Sequence, residues 1–250
     1  MNSRSILNYL LNICNHAKAG YLVLIDPDQR SVAESVEFAQ CAEEAGVDAL
    51  LVGGSLLVSD QMDATIQSIK EKISLPVIIF PGASHHLSRY ADALLFLSLV
   101  SGRNSDFLIG EHAKAAPLIK CYGLEPIPTG YLLIDGGAQT SVGFMSGTMP
   151  IPKDKSSIAW IHALAAEYLG MKFVYLEAGS GAKWPVPDEM IASVRQQISI
   201  PIIVGGGISQ PEVAAAKVRA GADFIVTGDV LEKSSNPKLI SEFVNAIHGT

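Results

Sequence analysis

Eight short runs rich in valine, isoleucine and leucine, set between amphipathic stretches along 250 residues, predict an α/β chain closed into one (β/α)8 TIM barrel with an N-terminal helix. Near-continuous hydrophobicity is what a parallel strand needs when both of its faces are covered. The length suits one barrel, so residues 1–250 read as a single domain, with no linker evident. A repeat supports closure: Ile73-Ser74-Leu75-Pro76-Val77-Ile78-Ile79 followed by Gly82 resembles Ile198-Ser199-Ile200-Pro201-Ile202-Ile203-Val204 followed by Gly207, and Ala91-Asp92-Ala93 answers Ala222-Asp223-Phe224. The repeated strand, helix, strand unit relates the third and fourth strands to the seventh and eighth, as two half-barrels would.

Taken in order, Ser3 to Ala17 predicts a packing helix, with Ile6, Leu7, Leu10, Leu11 and Cys14 at helical spacing and Asn8, Asn12 and Asn15 interrupting them. The strands follow at Tyr21 to Ile25, Ala49 to Val52, Val77 to Phe80, Ala93 to Leu97, Tyr131 to Ile134, Phe173 to Leu176, Ile200 to Val204 and Phe224 to Val226, with helical segments between them. The stretch from Gly130 to Ser156, with Gly136-Gly137, Gly143, Gly147, Pro150 and Pro152, reads as a long loop at the fifth strand, of the kind that binds or covers a ligand. His85-His86, after the third strand, reads as a solvated helix start.

Composition excludes several classes. A 48% hydrophobic, 17% charged chain can bury a core throughout. A net charge of -7 with no basic stripe excludes a general nucleic-acid binder. Three widely spaced cysteines, Cys14, Cys41 and Cys121, fit a reducing, cytoplasmic setting. No apolar run reaches the roughly 18 to 20 residues that span a bilayer, so membrane contact is expected to be peripheral.

In this fold chemistry sits at the C-terminal ends of the strands. Asp26-Pro27-Asp28 ends the first strand: Asp26 can hold Mg²⁺, a cation that takes hard oxygen ligands and shares them with substrate phosphates, while Asp28 suits the cap of a helix beginning near Ser31. Gly53-Gly54-Ser55 ends the second, as a binding loop or a turn and cap. The sixth ends in Tyr175-Leu176-Glu177-Ala178-Gly179-Ser180-Gly181, where Glu177 can accept a proton from a bound hydroxyl and the small residues admit an anion to backbone amides. Gly205-Gly206-Gly207-Ile208 and Thr227-Gly228-Asp229 end the seventh and eighth, where this fold recurrently binds phosphate. Tight turns alone are the plainer reading of those glycines. No zinc-type constellation is present, and Lys172 begins its strand, at the wrong end for a Schiff base.

Read together, Leu24-Ile25-Asp26-Pro27-Asp28, Gly53-Gly54-Ser55, Tyr175 to Gly181, Val204 to Ile208 and Thr227-Gly228-Asp229 resemble, in order, the motifs of the geranylgeranylglyceryl phosphate synthases and their heptaprenyl-transferring relatives. The likeness runs from about Tyr21 to Asp229. It implies that Asp26 and Ser55 contact Mg²⁺ and that Glu177 is the catalytic base. Tyr175 to Gly181, Gly206-Gly207 and Gly228-Asp229 would cradle sn-glycerol 1-phosphate. It also implies a polyprenyl diphosphate donor and a homo-oligomer, a dimer or a dimer-based hexamer. Two positions depart from the pattern: Gln29 where a lysine often follows, and Asp229 where asparagine is expected.

The prenyl tail needs an apolar groove, to which Phe96, Leu99, Val100, Phe107 and Leu108 could contribute. A phosphosugar isomerase using Asp26 and Asp135 across the mouth is the nearest alternative, and a non-catalytic phosphate-binding barrel the next.

Overall fold

Eight parallel strands close on themselves in chain order in a computed structural model that describes residues 5–16, 19–232 and 237–250. The strands are β1 Gly20–Ile25, β2 Ala49–Gly54, β3 Val77–Pro81, β4 Ala93–Leu99, β5 Glu125–Leu133, β6 Phe173–Glu177, β7 Ile202–Gly205 and β8 Phe224–Thr227. The helices are α1 Ile6–Asn15, α2 Val32–Ala45, α3 Met62–Lys70, α4 Glu111–Tyr122, α5 Ser141–Ser146, α6 Ser156–Tyr168, α7 Asp188–Arg195, α8 Pro211–Arg219, α9 Asp229–Glu232 and α10 Pro237–His248. A π-helical turn, Asp106–Gly110, leads into α4. The expected ends of the first helix at Ser3 and Ala17 lie outside the described residues.

Side chains alternate between two layers because successive strand residues point to opposite faces. Leu51, Leu95, Phe173, Tyr175, Ile203 and Phe224 fill the barrel. Val52, Ile79, Leu132, Val174, Leu176 and Val204 pack outward against the helices. Helix α1 closes the lower end, placing buried Leu10, with Ile6, Leu7 and Ile13, against the barrel filling. Its N-terminus rests on β5: Glu125 accepts the Ser5 hydroxyl at 2.5 Å and the Ile6 amide at 2.6 Å, a carboxylate against the positive end of a helix.

One device recurs three times at that lower end. Asp48, Asp92 and Asp223 each precede a strand, and each carboxylate accepts the amide of the preceding strand's edge, from Tyr21, Val77 and Ile202, at 2.7, 2.8 and 2.7 Å. A helix supplies the partner cation or imidazole: His248 for Asp48, Lys70 for Asp92 and Arg195 for Asp223. The half-barrel repeat carries a second shared contact, since Ser74 and Ser199 donate amide and hydroxyl to Glu43 and Glu167.

Four expectations change. The repeat is not strand, helix, strand in both halves, because no helix joins β3 to β4 and residues 82–92 run as turns. Only sixteen positions separate Pro76 from Asp92, against twenty-two from Pro201 to Asp223, which leaves no room for the helix that α8 forms in the second half. His85-His86 therefore starts no helix, and His86 is buried, its Nδ1 accepting the Gly82 amide at 3.1 Å. Strand β5 begins six residues earlier than the apolar run, through Pro126 and Pro128. The Pro128 carbonyl accepts the Lys172 amide, so both prolines turn their nitrogens to the β6 side, where pairing starts only at Thr129 with Phe173, and no ladder bond is lost. The Gly130 to Ser156 stretch is partly built: α5 is capped by Thr140, and Ile134 bridges to Ile151.

Candidate active site

Asp26, Asp28 and Glu177 meet above the upper ends of the strands in a polar mouth completed by the loops after β6, β7 and β8. An apolar cavity opens beside it, between β3, β4, α4 and α5, walled by Phe96, Leu99, Phe107, Ala115 and Met145. Gly54, Ser55, Phe80, Tyr131 and Val142 belong to both, so one continuous space passes from apolar to polar at these residues.

Glu177 ends β6 on the inward side of the alternation and is 7% exposed. Burial, with the nearby negative charge of Asp229, pushes its carboxyl up to about 7, against hydrogen bonds from the Gly179 amide and the Tyr175 hydroxyl. The Gly179 amide donates to Oε1 at 2.6 Å. The next strand must make room for this carboxylate. A Cβ on Gly206, which sits at φ 81°, would fall 2.2 Å from Glu177 Oε1, and one on Gly205 would fall 2.5 Å from the Tyr175 hydroxyl. Glycine is required at Gly206 both by the left-handed backbone and by the lack of space.

Beneath Glu177 lies an aromatic floor. Tyr175 packs 5.4 Å from Tyr131 and 5.6 Å from Phe80, centroid to centroid. Burial holds both tyrosine hydroxyls well above their ordinary pKa, so both are neutral, and that of Tyr175 donates to Glu177.

Asp26 stands at the end of β1 across the barrel from Glu177, its Oδ1 accepting the Asp28 amide at 2.9 Å. Burial foremost, and the charges of Asp28 and Asp229, push its carboxyl upward, and no lysine or arginine among the described residues pairs with it. Such a carboxylate, in a mouth that Ser55 also lines, is chemically suited to a hard cation. Among the described residues no three His, Cys, Asp or Glu side chains form a cage, so an ion here would draw further ligands from water or a bound phosphate. Asp28 has another duty than the expected helix cap. Ser31 caps α2 in a capping box with Glu34, and Asp28 accepts the Val58 amide at 2.5 Å, the Ser59 amide at 3.0 Å and the Ser59 hydroxyl. It thereby ties the loop after β1 to the loop after β2.

The remaining expected residues take distinct positions. Leu176 and Ala178 turn their side chains to the helix layer, and the Ala178 amide is held by the Gly205 carbonyl. The Ser180 hydroxyl and the Gly181 amide both donate to Asp229, at 2.8 and 2.6 Å, so a carboxylate of the chain itself occupies this part of the glycine cradle. Gly207 lies against Trp184 and Pro185, and Gly228 against Leu24. Asp135 accepts the Gly137 amide in its own loop and is not among the residues of the mouth, so it is not paired with Asp26.

Of the five groove candidates, Phe96, Leu99 and Phe107 line the apolar cavity, whereas Val100 and Leu108 do not. Sequence reasoning missed Phe80, Tyr131, Val142 and Met145. The signal for Phe80 was available in its place at the end of the third strand; Tyr131 stood at the start of the expected fifth strand, where a site residue is not looked for. For the last two there was no signal, because α5 lay hidden in a glycine-rich stretch.

Comparison with known proteins places these features in context. The model of the PcrB family matches residues 13–247. A geranylgeranylglyceryl phosphate synthase from Chitinophaga pinensis is 49% identical over 228 residues, 91% of this chain and 90% of that one. One from Thermococcus gammatolerans is 50% identical, over 86% of this chain and 85% of its own. The crystal structure of (S)-3-O-geranylgeranylglyceryl phosphate synthase from Thermoplasma acidophilum, in complex with substrate sn-glycerol-1-phosphate, superposes with a TM-score of 0.93 at 39% identity, covering 98% of this chain and 99% of that chain.

Proposed function

The chain belongs to the PcrB family, and from that membership and the geometry of the mouth we infer that it transfers a long polyprenyl group, geranylgeranyl first among candidates, from its diphosphate to the hydroxyl of sn-glycerol 1-phosphate. The observation that carries this reading is the junction at Ser55, Phe80 and Tyr131, where an apolar cavity suited to a prenyl tail meets a polar mouth with a buried base. A water-insoluble chain and two phosphate-bearing groups need that sequence of surfaces.

The glycerol hydroxyl oxygen forms a bond to the first carbon of the prenyl chain as the bond from that carbon to diphosphate breaks, and the hydroxyl proton passes to Glu177. With a pKa of about 7, Glu177 is ionised enough near neutrality to accept that proton and basic enough to do so usefully. The Gly179 amide and Tyr175 hydroxyl hold its carboxylate in one orientation. Asp26 and Ser55 would hold Mg²⁺, which when bound neutralises charge on the departing diphosphate. The mostly apolar walls of the cavity would limit water at the reacting carbon.

Oligomerisation is part of the same proposal: Ile161, Tyr168 and Leu169 leave an apolar outer face on and beside α6, suited to a second copy in a dimer or a dimer-based hexamer. A cytoplasmic setting with peripheral membrane contact through the lipid product fits three unpaired cysteines and the lack, among the described residues, of a helix long and apolar enough to cross a membrane.

The deciding experiment incubates the protein with labelled sn-glycerol 1-phosphate, Mg²⁺ and a panel of prenyl diphosphates, and then extracts lipid. A labelled ether lipid with the C20 donor is expected, dependent on the metal. Product without metal would remove the Mg²⁺ proposal, and no lipid product with any donor would remove the transferase reading.

A further inference from the structure

Both substrates inferred above are anions, yet the mouth that receives them is lined by Asp26, Asp28, Glu177 and Asp229. Lys183 is the only lysine or arginine lining it among the described residues. It is also uncommitted: its ammonium takes part in no salt bridge or hydrogen bond among the described residues, whereas Lys153 sits 3.9 Å over the Trp184 ring and Arg30 donates to the Leu231 carbonyl. The backbone beneath it is fixed. The amides of Lys183 and Trp184 both donate to the Gly136 carbonyl, at 2.9 and 3.1 Å, and a Cβ on Gly207 would lie 2.9 Å from the carbonyl of Trp184. Lys183 is thus rooted between the loops after β5 and β7, on the rim opposite Asp26 and Ser55 in an eight-stranded closed barrel.

We propose that Lys183 captures the phosphate of the acceptor, as a binding residue distinct from the glycine loops. This rests on the reading of sn-glycerol 1-phosphate as acceptor. The Ser180 and Gly181 donors can reach a phosphate only after release from Asp229, and a dianion approaching four carboxylates meets a repulsive field. A flexible, fully hydrated ammonium on the acceptor side of the rim offsets that field during approach and pairs with the phosphate once bound. The donor diphosphate, assigned to Asp26 and Ser55 across the mouth, would feel Lys183 less than the acceptor phosphate does.

The test measures glycerol 1-phosphate binding by calorimetry, and steady-state kinetics for both substrates, in the wild type, Lys183→Gln and Lys183→Arg. Lys183→Gln should raise both Kd and KM for glycerol 1-phosphate about tenfold, the range of one hydrogen bond to a charged group, with little change in KM for the prenyl diphosphate. The decline of kcat/KM with added salt should flatten in the same variant, and Lys183→Arg should restore binding to within about threefold. Unchanged glycerol 1-phosphate affinity in Lys183→Gln, or an equal loss for both substrates, would overturn the assignment. If the wild type binds glycerol 1-phosphate but forms no lipid product, the transfer reading fails while calorimetry still decides the role of Lys183.

Discussion

At the scale of single residues, Glu177 couples activity to stability with opposite signs. As the proposed base it must be ionised, so kcat should rise with pH through about 7 and level off above it. Glu177→Gln should abolish that limb and lower kcat by at least about a hundredfold, read from initial rates across pH 5.5 to 8.5. Folding responds in reverse. The carboxyl has a pKa of about 7 folded against 4.5 unfolded, so its neutral form is favoured by the fold; the stability it permits is intact below 4.5 and declines until the pH passes about 7. Glu177→Gln should therefore be more stable than wild type at pH 8, by roughly 3 kcal/mol at most, and no more stable at pH 4.5, as urea denaturation at the two values would reveal. Asp229 supplies a second residue-scale expectation. Replacing it with asparagine removes a charge that raises the Glu177 pKa and competes for the Gly181 amide, so Asp229→Asn should shift the acid limb below 7 and tighten glycerol 1-phosphate binding about threefold to tenfold. Glu177, Asp26 and the glycines were legible because strand-end carboxylates and small residues stand out in an apolar sequence. That Asp229 occupies the cradle was not, because Ser180 and Asp229 are 49 positions apart.

Among the elements, strand registers are held at the lower end of the barrel by aspartates outside the strands they serve. Asp92→Ala leaves the Val77 amide and the Lys70 ammonium without their partner and should cost about 2 kcal/mol in urea unfolding, with glycerol 1-phosphate binding intact at the far end. A comparable loss of substrate affinity would mean that strain passes the length of β3 and β4. Strand positions could be read from sequence wherever the apolar run and the ladder coincide, as in β1, β3 and β6. They parted at β5, whose first half lies before the apolar run and carries two prolines that only the lateral direction of their nitrogens admits to a strand. The missing helix between β3 and β4 was recorded in the shorter spacing of the first repeat. The likeness of the motifs on either side concealed it.

For the whole molecule, α1 decides how the barrel is sealed. Leu10→Ala withdraws a side chain 1% exposed from the lower end of the filling and should lower stability by about 3 kcal/mol, a fall in Tm of roughly 6 to 12 °C by calorimetry, without altering KM. The closed order of eight strands was legible because alternation and repeat agreed; the seal was legible only as an amphipathic helix, since nothing in the spacing of Ile6, Leu7 and Leu10 says which surface they cover. With the barrel filled by its own side chains and closed below by α1, ligands meet it only at the upper ends of the strands, and that governs traffic. In the proposed transfer, donor, acceptor and both products share the joined cavity and mouth at that end, and the lipid product would reach from one into the other. While it stays, neither substrate can enter. The product should therefore act as a bisubstrate inhibitor, competitive against the prenyl diphosphate and against glycerol 1-phosphate alike, and its departure into a lipid phase should quicken turnover when vesicles or detergent micelles are supplied to receive it.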